Sequence, residues 1–246
     1  MGIGEAFADA LASRGYDLAL VARSGDALER IASRVRASSG GRAEVLVADL
    51  EDAADVEAVA RDIEERFGPV DLLVNNAGYG AHGRFETIAP HRHAGQIRLN
   101  VAALVALTNH FAPSMLARGS GGIINIASTA AFQPVPYMAV YGATKAFVLS
   151  FSEALAAEFR GRGVRVLAVC PGATSTNFFK TAGEGAQNGA FRTSSQVVRT
   201  ALQAYDRGRS YVVDGPVNRL LAFGPRLFPR PLIARVAAAM MRPAKP

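Results

Sequence analysis

Short apolar runs alternate with amphipathic stretches along most of the chain. Gly4 to Arg14 carries its apolar residues at helical spacing, and Asp17-Leu18-Ala19-Leu20-Val21-Ala22 reads as a buried strand. The same alternation then repeats. The pattern predicts helices over about 26–38, 52–67, 90–117, 137–160 and 195–206. It predicts strands at Glu44–Ala48, Asp71–Val74, Gly122–Ile126, Val164–Val169 and Tyr211–Val213. Apolar runs without polar alternation are strands covered on both faces, and strand–helix–strand repetition requires crossovers between parallel strands. The predicted fold is α/β: a doubly wound parallel sheet in three α/β/α layers. No linker or low-complexity stretch divides it, so residues 1–216 read as one domain and 217–246 as a tail of that domain.

A doubly wound nucleotide-binding sheet opens with a strand that runs into a glycine-rich turn and a helix. Here Gly2, Ile3 and Gly4 stand where such a turn would be, without that strand or the turn's first glycine before them. The expectation is a sheet lacking its first strand, and a Met1 that is not the natural start.

Composition narrows the class. In 246 residues, 50% are hydrophobic and 20% charged, which is globular and not disordered. No apolar run approaches the roughly 20 residues that span a bilayer. The first residues lack the basic and apolar regions of a signal peptide, so the expected location is cytoplasmic. The one cysteine, Cys170, allows no internal disulfide and reads as a small buried residue. His82, His91, His93 and His110 have no companions at metal-ligand spacing, so no metal site is predicted, and they read as surface or loop residues. The net charge of +6 is local: no acidic residue follows Asp214, while Arg219, Arg226, Arg230, Arg235, Arg242 and Lys245 do. A basic excess confined to the tail argues against a nucleic-acid-binding face.

Chemistry concentrates at strand ends and on one helix. Tyr141 and Lys145 are four apart and share a helix face. A free phenol, with a pKa of about 10, is a poor acid or base at neutral pH, and a nearby ammonium would lower that value. Ser128 ends a strand where a hydroxyl can hold a substrate carbonyl or simply cap a turn. Asn76, Ala77 and Gly78, preceded by Asn75, follow another strand and leave room for a flat cofactor or form an ordinary turn. Asn100 is an amide inside an apolar helical stretch, where it needs a partner.

Asn75-Asn76-Ala77-Gly78, Asn100, Ser128, Tyr141-x-x-x-Lys145 and Pro171-Gly172-x-x-x-Thr176 together resemble the short-chain dehydrogenase/reductase family over about residues 2–215. Asn75–Phe85 and Ser128–Phe147 are most similar to its bacterial carbonyl and 3-oxoacyl reductases. The resemblance implies a Rossmann-like fold, a nicotinamide cofactor and a catalytic set of Asn100, Ser128, Tyr141 and Lys145. Tyr141 would be the general acid/base, and Lys145 would lower its pKa and bind the nicotinamide ribose. Ser128 would polarise the carbonyl, and Asn100 would hold a relay water. Gly2, Ile3, Gly4, Asn76, Ala77, Gly78, Pro171, Gly172 and Thr176 would line the cofactor, with Thr176 on the carboxamide or capping a short helix. Homodimers or homotetramers are implied as well.

The end of the strand Asp17–Ala22 carries Arg23 and Ser24 and no acid. An acid there would bond a ribose 2′-hydroxyl, whereas a guanidinium suits a 2′-phosphate. NADP(H) is therefore expected over NAD(H), although Arg23 could be a solvated charge and Ser24 a helix cap. Asp49 resembles the residue that contacts adenine, or starts a helix. Ala130, Phe132, Phe178 and Phe179 suggest an apolar pocket for a hydrophobic ketone or acyl chain, or core packing under a loop. The basic, apolar tail could touch a membrane surface, cover the pocket or meet another subunit. The competing reading is a truncated, inactive or nucleotide-binding regulatory protein on the same fold.

Overall fold

The computed structural model describes residues 2–175 and 192–243. The predicted alternation is present: α1 (Ile3–Ala12), β1 (Leu18–Ala22), α2 (Gly25–Ser39), β2 (Ala43–Val47), α3 (Ala53–Phe67) and β3 (Leu72–Asn75). Then follow α4 (Pro90–Ile97), a π-helical turn (Arg98–Ala103), α5 (Leu104–Arg118), β4 (Gly121–Ile126), α6 (Ala139–Glu158) and β5 (Val164–Cys170). The rest comprises α7 (Ser194–Asp206), β6 (Tyr211–Val213), α8 (Pro216–Phe223) and α9 (Arg230–Met241).

Successive side chains of a strand point to opposite faces, and the central strands fill both. Ile124 and Leu167 pack with Phe7, Leu11, Val35, Val197 and Leu202 of α1, α2 and α7. Their neighbours Ile123 and Val166 pack on the other face with Val56, Ile63, Phe111 and Met115 of α3 and α5. All six side chains that β4 and β5 supply at Ile123, Ile124, Val166, Leu167, Val169 and Cys170 are 3% exposed or less, which explains their unbroken apolar sequence.

All strand pairs are parallel, but the layer is in two pieces, β1–β2 and β3–β4–β5–β6. Leu18 and Leu20 of β1 share one core layer with Leu72 and Val74 of β3. Ala19 and Val21 share the other with Leu73. The two pieces thus belong to one layer, and among the described residues β1 and β3 each hydrogen-bond to a strand on one side only.

Three features add to the sequence expectations. The stretch Pro90–Arg118 is one continuous helix, long and apolar enough by length and composition to cross a membrane, yet it buries Gln96, Asn100, Phe111 and Met115 within the fold. The helix expected from 137 begins at Ala139, because Tyr137 takes a left-handed backbone, φ 64°, that a helix cannot include. The tail is helical, with Pro216 and Pro231 in the first turns of α8 and α9, where a missing N–H costs nothing.

Candidate active site

Site residues gather at the C-terminal ends of β3, β4 and β5, as a parallel sheet dictates. Behind them lies a buried polar ladder. Asn75 at the end of β3 donates through Nδ2 to Asn125 Oδ1 (2.8 Å) and Thr108 Oγ1 (3.3 Å). Asn125 Nδ2 donates to Ser152 Oγ (2.9 Å), which donates to the Val148 carbonyl (2.6 Å). Every rung is buried, and it ties β3 and β4 to α5 and α6. The sequence reading passed over this ladder. Its one signal was Asn125, a lone amide in the apolar run of β4.

Asn100 is 2% exposed and sits in the π-helical turn, where the widened backbone turns its side chain inward. Its Oδ1 accepts from the Tyr79 N–H (3.1 Å). Its Nδ2 donates to the Tyr79 carbonyl (2.9 Å) and to Thr144 Oγ1 (3.0 Å). This side chain fixes the Gly78–Tyr79 loop against α6. Gly78 must be small: a Cβ there would come within 2.9 Å of Asn100 Oδ1 and 3.4 Å of Lys145 Nζ.

Tyr141 and Lys145 share a face of α6, with Nζ 5.8 Å from the tyrosine ring centroid. Ser128 caps the short turn Thr129–Phe132, its Oγ accepting from the Ala130 N–H at 3.1 Å. The same hydroxyl hydrogen-bonds the Tyr141 phenol. Turn cap and site residue are one role, not alternatives. Lys145 is 5% exposed and donates to the Ile126 carbonyl at 2.7 Å. Burial lowers its pKa to about 8. Burial also raises the Tyr141 pKa, an effect the Ser128 hydrogen bond only partly offsets. This corrects the expectation that Lys145 depresses the tyrosine: its ammonium turns to a backbone carbonyl, and desolvation dominates. The phenol therefore holds its proton at neutral pH.

The helix α1 has no side-chain cap bond at Gly2, and the Ala6 N–H donates back to the Gly2 carbonyl. Gly4 lies so close to Asn76 that a Cβ would meet Nδ2 at 2.6 Å, and Ala77 and Gly78 are exposed. A helix N-terminus beside small, open residues fits the pyrophosphate and flat rings of a dinucleotide. At the end of β1 Arg23 is exposed and lies 4.0 Å from Asp49 and 3.8 Å from Glu51. Ser24 stands at the N-cap of α2 without a side-chain cap bond.

Pro171 and Gly172 follow β5, and Gly172 is pressed against Asn218, whose Nδ2 would lie 2.4 Å from an added Cβ. Thr176, Phe178 and Phe179 lie outside the described residues. Where the chain is described again, Arg192 forms a two-pronged pair with Asp214 (2.8 and 3.0 Å), which is 0% exposed and also accepts from Thr200 Oγ1 (2.7 Å). The sequence offered Asp214 only as the last acid before the basic tail.

Ala130 stays beside Ser128, but Phe132 turns away. Its ring lies 6.3 Å from that of Tyr211 and lines a cavity to which none of Asn100, Ser128, Tyr141 and Lys145 contributes. Met241, from α9, packs on Met138, as do Tyr141 and Val135. His82, which the sequence left without a role, holds it there: Nε2 lies 2.7 Å from the Met241 carbonyl. Cys170 is buried and its thiol pushed up to about 12 by burial, leaving it inert.

This geometry has relatives. The family model described as short chain dehydrogenase matches residues 1–187. Over 174 residues the chain is 34% identical to a ketoacyl reductase, HetN, of Nostoc sp., covering 71% of this chain and 60% of that one. A short-chain dehydrogenase of Sphingobium yanoikuyae, solved with NADPH, superposes with a TM-score of 0.83 at 34% identity over 100% of this chain and 94% of that one. A bulky-bulky ketone specific alcohol dehydrogenase of Comamonas testosteroni gives 0.79 at 31% identity over 92% and 88%.

Proposed function

Because the chain belongs to the short-chain dehydrogenase family, we propose that it reduces a hydrophobic ketone or 3-oxoacyl substrate to the alcohol with NADP(H). The observation that carries this reading is the protonated Tyr141 phenol hydrogen-bonded to Ser128 above a buried Lys145. A bound nicotinamide would supply or accept the hydride. Ser128 then holds the substrate oxygen, and Tyr141 donates its proton to the oxygen as negative charge grows there. Lys145 keeps a positive charge under that site, and Asn100 keeps the loop and α6 in register. The apolar side chains of Met241 and Val135, packed on Met138 as Tyr141 is, favour an uncharged, hydrophobic substrate. In this reading the protein is cytoplasmic, acts as a homodimer or homotetramer, and its tail touches a membrane peripherally.

The preference for NADP(H) rests on the exposed Arg23, the absence of an acid at the end of β1 and the NADPH held by the Sphingobium relative. Asp49 and Glu51 work against it by placing two carboxylates near that guanidinium. The test is oxidation of NADPH and NADH with a panel of hydrophobic ketones and 3-oxoacyl thioesters. NADPH should be favoured at least about tenfold in kcat/KM, since one charge-assisted pair contributes about 1.5–3 kcal/mol. Arg23→Asp should reverse the order, and a wild-type preference for NADH would overturn the assignment.

The broken sheet favours a second reading, in which the chain binds nucleotide weakly and turns over little. β1 and β3 each lack a ladder partner on one side among the described residues. Failure to bind NADPH by fluorescence titration, with the fold intact by circular dichroism, is the result that would favour this reading.

A further inference from the structure

Exposed apolar side chains are not spread evenly over the molecule. Leu220, Leu221, Phe223, Leu227, Phe228 and Val236 of α8, α9 and their connection are each 51% exposed or more. Large apolar side chains exposed together on neighbouring elements mark a contact surface. The charge around it has one sign. Arg207, Arg209, Arg219 and Arg226 line a cavity of about 600 Å³ between α7, β6 and α8, walled by Phe132, Tyr211 and Phe223. Among the described residues no acid lines it. None follows Asp214, which is itself buried against Arg192. Arg219 spends its Nε on the Val213 carbonyl, and its remaining nitrogens, with Arg209 and Arg226 at the rim, carry positive charge beside the leucines. Phe223 belongs to both the apolar face and the cavity wall, so the two features are continuous.

We propose that α8 and α9 dock on an anionic phospholipid bilayer, their exposed apolar side chains entering the acyl boundary and the arginine cavity receiving a lipid phosphate. The inference deepens the peripheral membrane contact assigned above and rests on it. Leucine and phenylalanine beside arginine, with no acid nearby, match an interface that is apolar below and negatively charged above. A neutral protein partner would leave the arginines unpaired on burial, and a second copy would bring like charges together. Met241 of α9 packs on Met138, as Tyr141 does, so the docking helix reaches the candidate site.

The test is sedimentation of the full chain with phosphatidylcholine vesicles, with and without phosphatidylglycerol. Binding to the anionic vesicles only is expected, weakening with salt. Arg209→Glu with Arg226→Glu should lower it at least about tenfold, since each surface cation contributes about 1 kcal/mol. Leu221→Asp with Phe228→Asp, both exposed and so harmless to the fold, should lower it as well. Absence of binding to either vesicle defeats the membrane contact itself. Equal binding to both vesicles, or binding indifferent to the arginine pair, defeats the phosphate site while leaving the contact. A solution dimer by light scattering that Leu221→Asp with Phe228→Asp dissolves, without vesicle binding, assigns the face to a second copy and overturns the proposal.

Discussion

Lys145 carries the least comfortable charge in the described structure. Its ammonium is 5% exposed and its pKa falls from 10.5 to about 8 on burial. The folded state therefore releases this proton more readily than the unfolded chain, and stability should rise with pH between about 8 and 10.5 as the penalty disappears. At pH 7 the penalty is about 3 kcal/mol, offset in part by the bond to the Ile126 carbonyl. Lys145→Met should then stabilise the cofactor-free protein by about 1 kcal/mol at pH 7 and lose that advantage near pH 10, in urea unfolding, while turnover disappears. A less stable variant at pH 7 would show that the ammonium is better accommodated than its burial suggests. The residues of the site were legible because Tyr141, Lys145, Ser128 and Asn100 stand at spacings that helix and sheet geometry turn into one locus. The direction in which Lys145 points was not, since i and i+4 neighbours share a face whether or not their polar atoms meet. The same limit applies to Phe132, whose position near Ser128 in sequence said nothing of its turn toward Tyr211.

At the scale of elements, the periodic stretches gave helices and strands within a few residues of their places. Their irregularities were hidden: the π-helical turn that aims Asn100, and the left-handed Tyr137 that delays α6, follow from tertiary contacts and not from local propensity. The junction of the Pro171–Gly172 loop with α7 and β6 is another such contact. Arg192 pairs with Asp214 across 22 positions, Thr200 adds a hydroxyl, and Thr174 bridges to Arg192. Asp214→Ala would leave Arg192 and Thr200 facing a void without their acceptor. The variant should lose about 3 kcal/mol, read as a lower urea midpoint with an unchanged slope. A loss below about 1 kcal/mol would mean the pair is a surface bridge in effect.

For the whole molecule, the decisive feature is the division of its strand layer. The structure shows β1–β2 and β3–β4–β5–β6 as separate ladders sharing one core. One-sided strands open more easily than strands paired on both sides. Amide hydrogen exchange should therefore run on the order of tenfold faster in β1 and β3 than in β4 and β5, and equal protection would mean that the two pieces behave as one sheet. The tail was legible in composition, as a basic and apolar segment, but not in placement. Nothing in the spacing of its residues announced that Met241 packs on Met138, as Tyr141 does, with its carbonyl at His82.

The account rests on proton donation by Tyr141, and one substitution addresses it without disturbing the packing around the ring. Turnover of a hydrophobic ketone by Tyr141→Phe, measured as NADPH oxidation beside the wild type, with NADPH binding followed in parallel, should fall at least about 100-fold while binding is kept. Turnover within a few-fold of the wild type would contradict the assignment of the proton to this residue.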